Sequence, residues 1–302
     1  MSNEPQWPAG TLRDATSDQL DVGSDDDEAE TVPASHISAA VMDRASVVCV
    51  SSADMDSLMS CESVVHEQDE RWPLYSVAGH HDRWALEVFS PPRVGPVLER
   101  DYLANSVSVD LQTGWDSHAW EDRAALWRWI ARRQPDVAML SPPCTMYSNL
   151  QIMNRKHVSV EEWTARMDAA RQHLEFAVAV ATEQARHGRG FVLEHPKLAS
   201  SWREPCIVTL ALQHGTLVEF DQCRYELRSP AGLLLKKPTR LLTNMPSIVN
   251  EFTGKQCTCA VDHGSITGQE RGQQVSRLAQ IYPPLLVGAL ARCCAVHMSI
   301  YP

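Results

Sequence analysis

From Trp84 onward the apolar positions fall into short runs and long stripes; before it they follow no sustained period. Trp84-Ala85-Leu86-Glu87-Val88-Phe89-Ser90 reads as a strand that Pro91-Pro92 stops. Residues 94–103 read as a short helix, and Val107-Ser108-Val109-Asp110 as a second strand ended by Gln112-Thr113-Gly114. Trp120, Ala124, Leu126, Trp127 and Ile130 mark one face of an amphipathic helix that runs to about Arg133, with Ser117 as its expected cap. Pro135 breaks it, and Val137-Ala138-Met139-Leu140 follows as a buried strand. The longest stripe lies in 160–187, where Trp163, Met167, Ala170, Leu174, Ala177, Val178 and Ala181 recur at three- and four-residue steps. Gly188 and Gly190 end it, and Phe191-Val192-Leu193 begins a strand at once.

A helix is expected near 203–213, strands at 216–220 and 240–243, and a Gly/Cys/His loop at 254–268. Pro283-Pro284 opens a last helix to roughly Met298, with proline where its missing N–H does no harm. No internal repeat has a period of 20–50 residues. Strand–helix–strand alternation predicts an α/β fold: a right-handed, mostly parallel sheet with helices on both faces and an antiparallel edge.

Charge divides the chain. Residues 1–80 hold 16 Asp and Glu against 3 Lys and Arg, including Asp25-Asp26-Asp27-Glu28, whereas the rest is near balance. The net charge of -11 therefore belongs to an acidic segment expected to be largely disordered, and leaves a nucleic-acid partner open for 81–302. No stretch has the basic-then-apolar form of a secretory signal, and no apolar run approaches the roughly 18–20 residues of a membrane span. Nine cysteines without regular spacing point to free thiols and an intracellular chain, in the nucleus if the source is eukaryotic.

Two strand ends carry the chemistry. Ser141-Pro142-Pro143-Cys144 follows one apolar run and Leu193-Glu194-His195-Pro196 another, and open α/β sheets place ligands at such ends. A thiol held by two prolines is a candidate nucleophile, and a glutamate ending an apolar strand is costly to bury unpaired. The bland alternatives are a packed structural cysteine and a capping carboxylate.

The order of these motifs resembles the cytosine-5 DNA methyltransferases over about residues 83–298. Leu86-Glu87-Val88-Phe89-Ser90 stands in the place of that family's first strand and cofactor loop, Ser141-Pro142-Pro143-Cys144 looks like its Pro-Cys motif, and Glu194 like its Glu-Asn-Val glutamate. Asp221-Gln222-Cys223-Arg224 is similar to its Gln-x-Arg-x-Arg motif, and Tyr282-Pro283-Pro284-Leu285-Leu286 to its last motif, whose helix returns to the cofactor site. The chain also resembles a divergent group of such domains, with a Phe-Ser-Pro-Pro-Arg loop, found in retroelements and their polyproteins. The resemblance implies a class-I methyltransferase sheet, S-adenosylmethionine as cofactor and DNA as partner, with RNA not excluded. It implies that Cys144 adds to C6 of a flipped cytosine, that Glu194 acts at N3, and that Arg224 meets the base edge. Cofactor contacts are expected from Phe89, Ser90, Pro91, Gly95, Pro142 and Asp110, with Asp116 in reserve because the chain from Phe89 to Cys144 is short enough to lack a strand. Nucleic-acid contacts are expected from Ser148, Gln222, Lys236, Lys237 and Arg240, within or near a small DNA-facing insertion at 221–268.

The chain departs from the family at named places. Pro91, Pro92 and Arg93 fill a loop that is glycine-rich in the family, His195 and Pro196 replace Asn and Val, and Glu226 stands where a second arginine belongs. A degenerate, non-catalytic nucleic-acid-binding domain is the competing reading. A third is an amino-methyltransferase, whose Ser-Pro-Pro turn holds an exocyclic amine by side chain and carbonyl, with Tyr147 near enough to stack on a base. Cys257, Cys259 and His263 have the residue types of a zinc site, with Cys223, His214 or Asp262 as the fourth ligand. Cys-x-Cys is not the usual spacing, so loop cysteines without metal are expected. Cys293-Cys294 and most tryptophans read as core, with Trp115 and Trp202 near strand-end loops.

Overall fold

The structure, a computed structural model, describes residues 82–148, 151 and 155–299. The acidic segment expected to be disordered lies outside the described residues.

Four parallel strands form the middle of the molecule: β1 (Trp84–Val88), β2 (Asn105–Val109), β3 (Val137–Leu140) and β4 (Gly190–Pro196). Two more, β5 (Thr216–Asp221) and β6 (Pro238–Thr243), complete a sheet of order β2-β1-β3-β4-β6-β5. The antiparallel pairing expected at the edge is made by β6, which inserts between β4 and β5 and runs against both. On the β2 side the sheet stops where a doubly wound order places one more strand, as the short connection implied.

Helices cover both faces. α2 (Trp120–Arg133), α3 (Val160–Arg186) and α4 (Pro205–His214) pack on one side, where Leu126, Ile130, Leu174, Val180, Ile207 and Leu210 join one core. α1 (Gly95–Tyr102), α5 (Pro246–Phe252) and α7 (Pro284–His297) pack on the other, contributing Leu98, Ile248, Phe252, Leu286 and Leu290. The mixed α/β molecule with a mostly parallel sheet is Rossmann-like. A small hairpin of β7 (Gln269–Glu270) and β8 (Gln273–Gln274) leads into the one-turn helix α6 (Val275–Leu278). No helix among the described residues is long and apolar enough to cross a membrane.

Two local expectations change. Ser117 does not cap α2: Ala119 occupies that position, and the Ser117 hydroxyl bonds instead to His173 Nδ1 at 2.8 Å. α3 starts where Ser159 accepts from the Glu162 amide at 3.1 Å, and its apolar stripe is buried only from Ala170 on, so the first turns overhang the sheet. α5, α6 and the hairpin have too few apolar positions to announce themselves by period.

Candidate active site

Strand alternation decides which side chains meet. On β1, β3 and β4 the residues Ala85, Met139 and Val192 face the α1/α7 core, whereas Leu86, Leu140 and Leu193 face the α3 core. Continuing that alternation along β4 and one residue past β3 sends Ser141 and Glu194 to the α1/α7 side and His195 to the α3 side. There a cleft of about 430 Å³, its mouth to solvent included, opens at the carboxyl ends of β1, β3 and β4. It sits where β1 and β3 diverge in connection, the point at which open α/β sheets leave a crevice. Val192, Leu241, Leu286 and Leu290 make its walls apolar; Glu194, Ser141, Gln222, Tyr282, Ser90 and Glu87 supply the polar groups.

Glu194 Oε1 is buried and has no hydrogen-bond partner among the described residues, and the same holds for Gln222 Oε1. Buried acceptors are nearly always paired, so two orphans in one cleft mark where a ligand would bond. Tyr282, from the Tyr-Pro-Pro motif, does return to the site. Its hydroxyl lies 3.2 Å from Ser141 Oγ, and burial followed by the negative charge of Glu194 pushes its phenol well above the usual range.

Cys144 sits one step beyond, at the start of the 3-10 turn Thr145–Tyr147. It is partly buried, and does not line the cleft itself. Burial raises its thiol, the Glu194 charge raises it further, and the Lys237 ammonium opposes both. His195 holds the turn from the other face. Its ring is buried, with Nε2 2.9 Å from the Pro142 carbonyl and Nδ1 2.6 Å from Ser201 Oγ. A carbonyl accepts only, so Nε2 carries the proton and Nδ1 accepts from the serine hydroxyl. Burial holds His195 below its ordinary pKa and favours this neutral form.

The loop after β1 is organised by Glu87, which the sequence reading left without a role. Its buried carboxylate accepts from the amides of Arg93 (3.1 Å), Val94 (3.1 Å) and Gly95 (2.8 Å) and from the Ser108 hydroxyl (3.1 Å). Burial still raises its pKa, against the pull of those donors. The signal for it was present, since period two puts a carboxylate on a buried face. Of the expected cofactor contacts, Ser90 lines the cleft, and Gly95 packs against Ser106 and Glu87. Phe89 adopts φ 60° and its ring meets Trp115 (5.4 Å) and Phe176 (6.2 Å) in the α3 core. Pro91 is half-buried beside Ser90, whose hydroxyl bonds to the Pro91 carbonyl at 2.9 Å, and Pro142 is buried. Asp110, at the end of β2, caps the turn Leu111–Thr113 and accepts from the Gln112 amide at 2.9 Å; Asp116 accepts from the His118 amide at 2.9 Å.

Arg224 stands outside the cleft, exposed, with Nη1 2.6 Å from Thr258 Oγ1. Gln222, two residues earlier, is inside and donates to Thr239 Oγ1 at 3.0 Å. Among the expected nucleic-acid contacts, Ser148 is half-buried and Lys236 is exposed. Lys237 Nζ is held by the Ala279 carbonyl at 2.9 Å, and the Arg240 guanidinium by Glu219 and the face of Trp202. Tyr147 and Trp115 are buried in the core, so neither offers a free ring to a base. Of the three offered fourth ligands, Cys223 joins Cys257, Cys259 and His263, and His214 and Asp262 do not.

No protein-family model matches the chain, and no curated protein matches it. Among solved structures it is similar to the methyltransferase EhMeth of Entamoeba histolytica at 11% identity and a TM-score of 0.30, the match covering 53% of this chain and 52% of that one. The chain thus spans about half the length of that protein.

Proposed function

We propose that the chain is an S-adenosylmethionine-dependent methyltransferase acting on cytosine C5 in DNA, with Cys144 as nucleophile and Glu194 as the group at N3. The observation that carries this reading is the unpartnered, buried Glu194 Oε1 in a cleft at the strand ends, beside the turn that bears Cys144. A carboxyl oxygen so placed suits the ring nitrogen and exocyclic amine of one flat base.

The residues around the cleft fit the cofactor by charge rather than by backbone. Pro91 and Pro92 have no N–H, and the amides of Arg93, Val94 and Gly95 go to Glu87. Arg93 has no carboxylate partner among the described residues, and its guanidinium lies 5.0 Å from the Tyr282 ring centroid, a cation suited to an amino-acid carboxylate. Asp110 at the β2 end would take ribose hydroxyls. S-adenosylmethionine, when bound, supplies an electrophilic methyl group. The chain's part is to form the Sγ–C6 bond as the thiol proton passes to solvent, to hold N3 through a proton shared with Glu194 while C5 becomes nucleophilic, and to release Sγ by elimination as solvent water takes the C5 proton. His195 fixes the Pro142 carbonyl and so the path of the turn carrying Cys144.

DNA carrying 5-fluorocytosine should trap a covalent adduct with the chain in the presence of S-adenosylmethionine, and Cys144→Ser should abolish it. Absence of adduct with calorimetrically proven cofactor binding overturns the cysteine assignment. Absence of cofactor binding at millimolar concentration supports the non-catalytic domain instead.

A further inference from the structure

The stretch that follows α5 folds back on the 3-10 turn Gln222–Tyr225 that follows β5, and brings four ligand-type side chains together. The ligand atoms of Cys223, Cys257, Cys259 and His263 all lie within 4.8 Å of one another, with Cys257 Sγ 3.5 Å from His263 Nε2. A tetrahedral zinc ion, with Zn–S of about 2.3 Å and Zn–N of about 2.0–2.1 Å, sets its ligand atoms about 3.5–3.8 Å apart. Only a slight contraction separates the cluster from that geometry. We propose that Cys223, Cys257, Cys259 and His263 bind one zinc ion as a structural Cys₃His site.

Three observations support it independently of the methyl-transfer reading. First, the loop's backbone is already fixed in the ligating arrangement. The Cys257 amide donates to Asp221 Oδ2 at 2.7 Å, the Asp221 amide to the Lys255 carbonyl at 3.1 Å, and the Gly264 amide to the Leu234 carbonyl at 2.8 Å. The Thr258 hydroxyl, between the two cysteines, accepts from the Arg224 guanidinium, which leaves its neighbours to Cys223. Second, this part of the chain has little else to hold it. Its own core is Leu227, Leu235, Val275 and Ala279, with Ile266 against them, and so small an apolar cluster ordinarily needs a staple. Third, the donor set is chemically selective: three sulfurs and an imidazole favour zinc and disfavour magnesium or calcium, which take oxygen ligands. The Cys-x-Cys spacing that argued against a metal is no obstacle once the remote Cys223 supplies the third sulfur. The ion would fix the turn that carries Gln222 into the cleft.

The test uses the full chain purified under reducing conditions. Elemental analysis should find one zinc per chain, and cobalt(II) loading should give the d–d bands of a tetrahedral site with a thiolate charge-transfer band. His263→Ala should weaken zinc binding by more than the roughly 10–100-fold lost with a group that only orients a ligand. His263→Cys should retain the metal, and Cys206→Ser, outside the cluster, should change nothing. Zinc below a tenth of an equivalent that does not rise on addition of zinc salt overturns the proposal. So does a disulfide among Cys223, Cys257 and Cys259 that persists under thiol reductant, or affinity unchanged in both His263→Ala and Cys259→Ser.

Discussion

At the scale of single residues, Cys144 and Glu194 are coupled through charge before any substrate arrives. Burial and the Glu194 carboxylate both favour the neutral thiol, and Lys237 favours the thiolate. In the free protein Cys144 should therefore react slowly for a cysteine this near the surface. Glu194→Gln removes the upward push and should speed iodoacetamide modification of Cys144 at pH 7.5, whereas Lys237→Met should slow it. The thiolate is the reacting form, so the two variants should move the rate in opposite directions. Rates followed on the Cys144 peptide separate it from the other thiols. Equal rates in the parent and both variants would show that neither charge reaches the sulfur. The placement of this pair was legible in the sequence, because Glu194 ends an unbroken apolar run, Cys144 closes the short turn after another, and such runs are buried strands. What the runs did not tell is the facing of each side chain. Glu194 reaches the cleft and His195, its neighbour, supports the opposite side, a division that period two imposes only once the strand is known to extend to Pro196.

At the scale of elements, the segment from β1 to α1 shows how one buried carboxylate organises a strand-to-helix connection. Pro91 and Pro92 offer no amide, and the next three amides are tied to Glu87, one residue before the strand's end. Packing requires the glycine at position 95, Gly95: a Cβ there would lie 2.3 Å from Ser106 Oγ and 2.7 Å from Ser106 Cβ on β2. Rotation of the hydroxyl relieves the first contact and not the second. Gly95→Ala should thus destabilise the fold by about 1–3 kcal/mol, the usual cost of overpacking. Ser106→Gly should recover part of that loss in the double variant, as urea unfolding would measure; simple additivity of the two changes would contradict the packing account. None of this was readable locally. Glu87, Gly95 and Ser106 meet only after α1 has folded back over the sheet, and likewise Cys223 meets Cys257 only through the pairing of β5 with β6. The strands and the long helices, by contrast, announce themselves within their own windows, since their apolar residues are buried by the sheet they build.

At the scale of the whole molecule, the histidines set how the fold answers to acid. Burial is the largest cause lowering three of them. His173 is brought to about 4, with the His118 charge and Arg123 adding to the effect and Asp116 opposing it. His195 is lowered against Glu194 and the Pro142 carbonyl, and His297 against Asp136. An unfolded histidine takes its proton near pH 6.5, and these folded ones resist until lower pH. In that interval the unfolded chain binds more protons than the folded one, so stability rises with pH across it and is lost as pH falls from about 6.5 towards 4. Glu87 acts the other way, because its raised pKa lets the folded state take a proton first, but only once pH drops through that value. The melting temperature of the full chain should therefore decline between pH 7.5 and pH 5.5 by roughly 5 °C, at about 2–4 °C per kcal/mol for a domain of this size. His173→Gln keeps an acceptor for the Ser117 hydroxyl and cannot be protonated, so its decline should be shallower. A variant curve parallel to the parent's would remove His173 from the acid response and leave it to His195 and His297, whose rings are tied to β4 and to the end of α7.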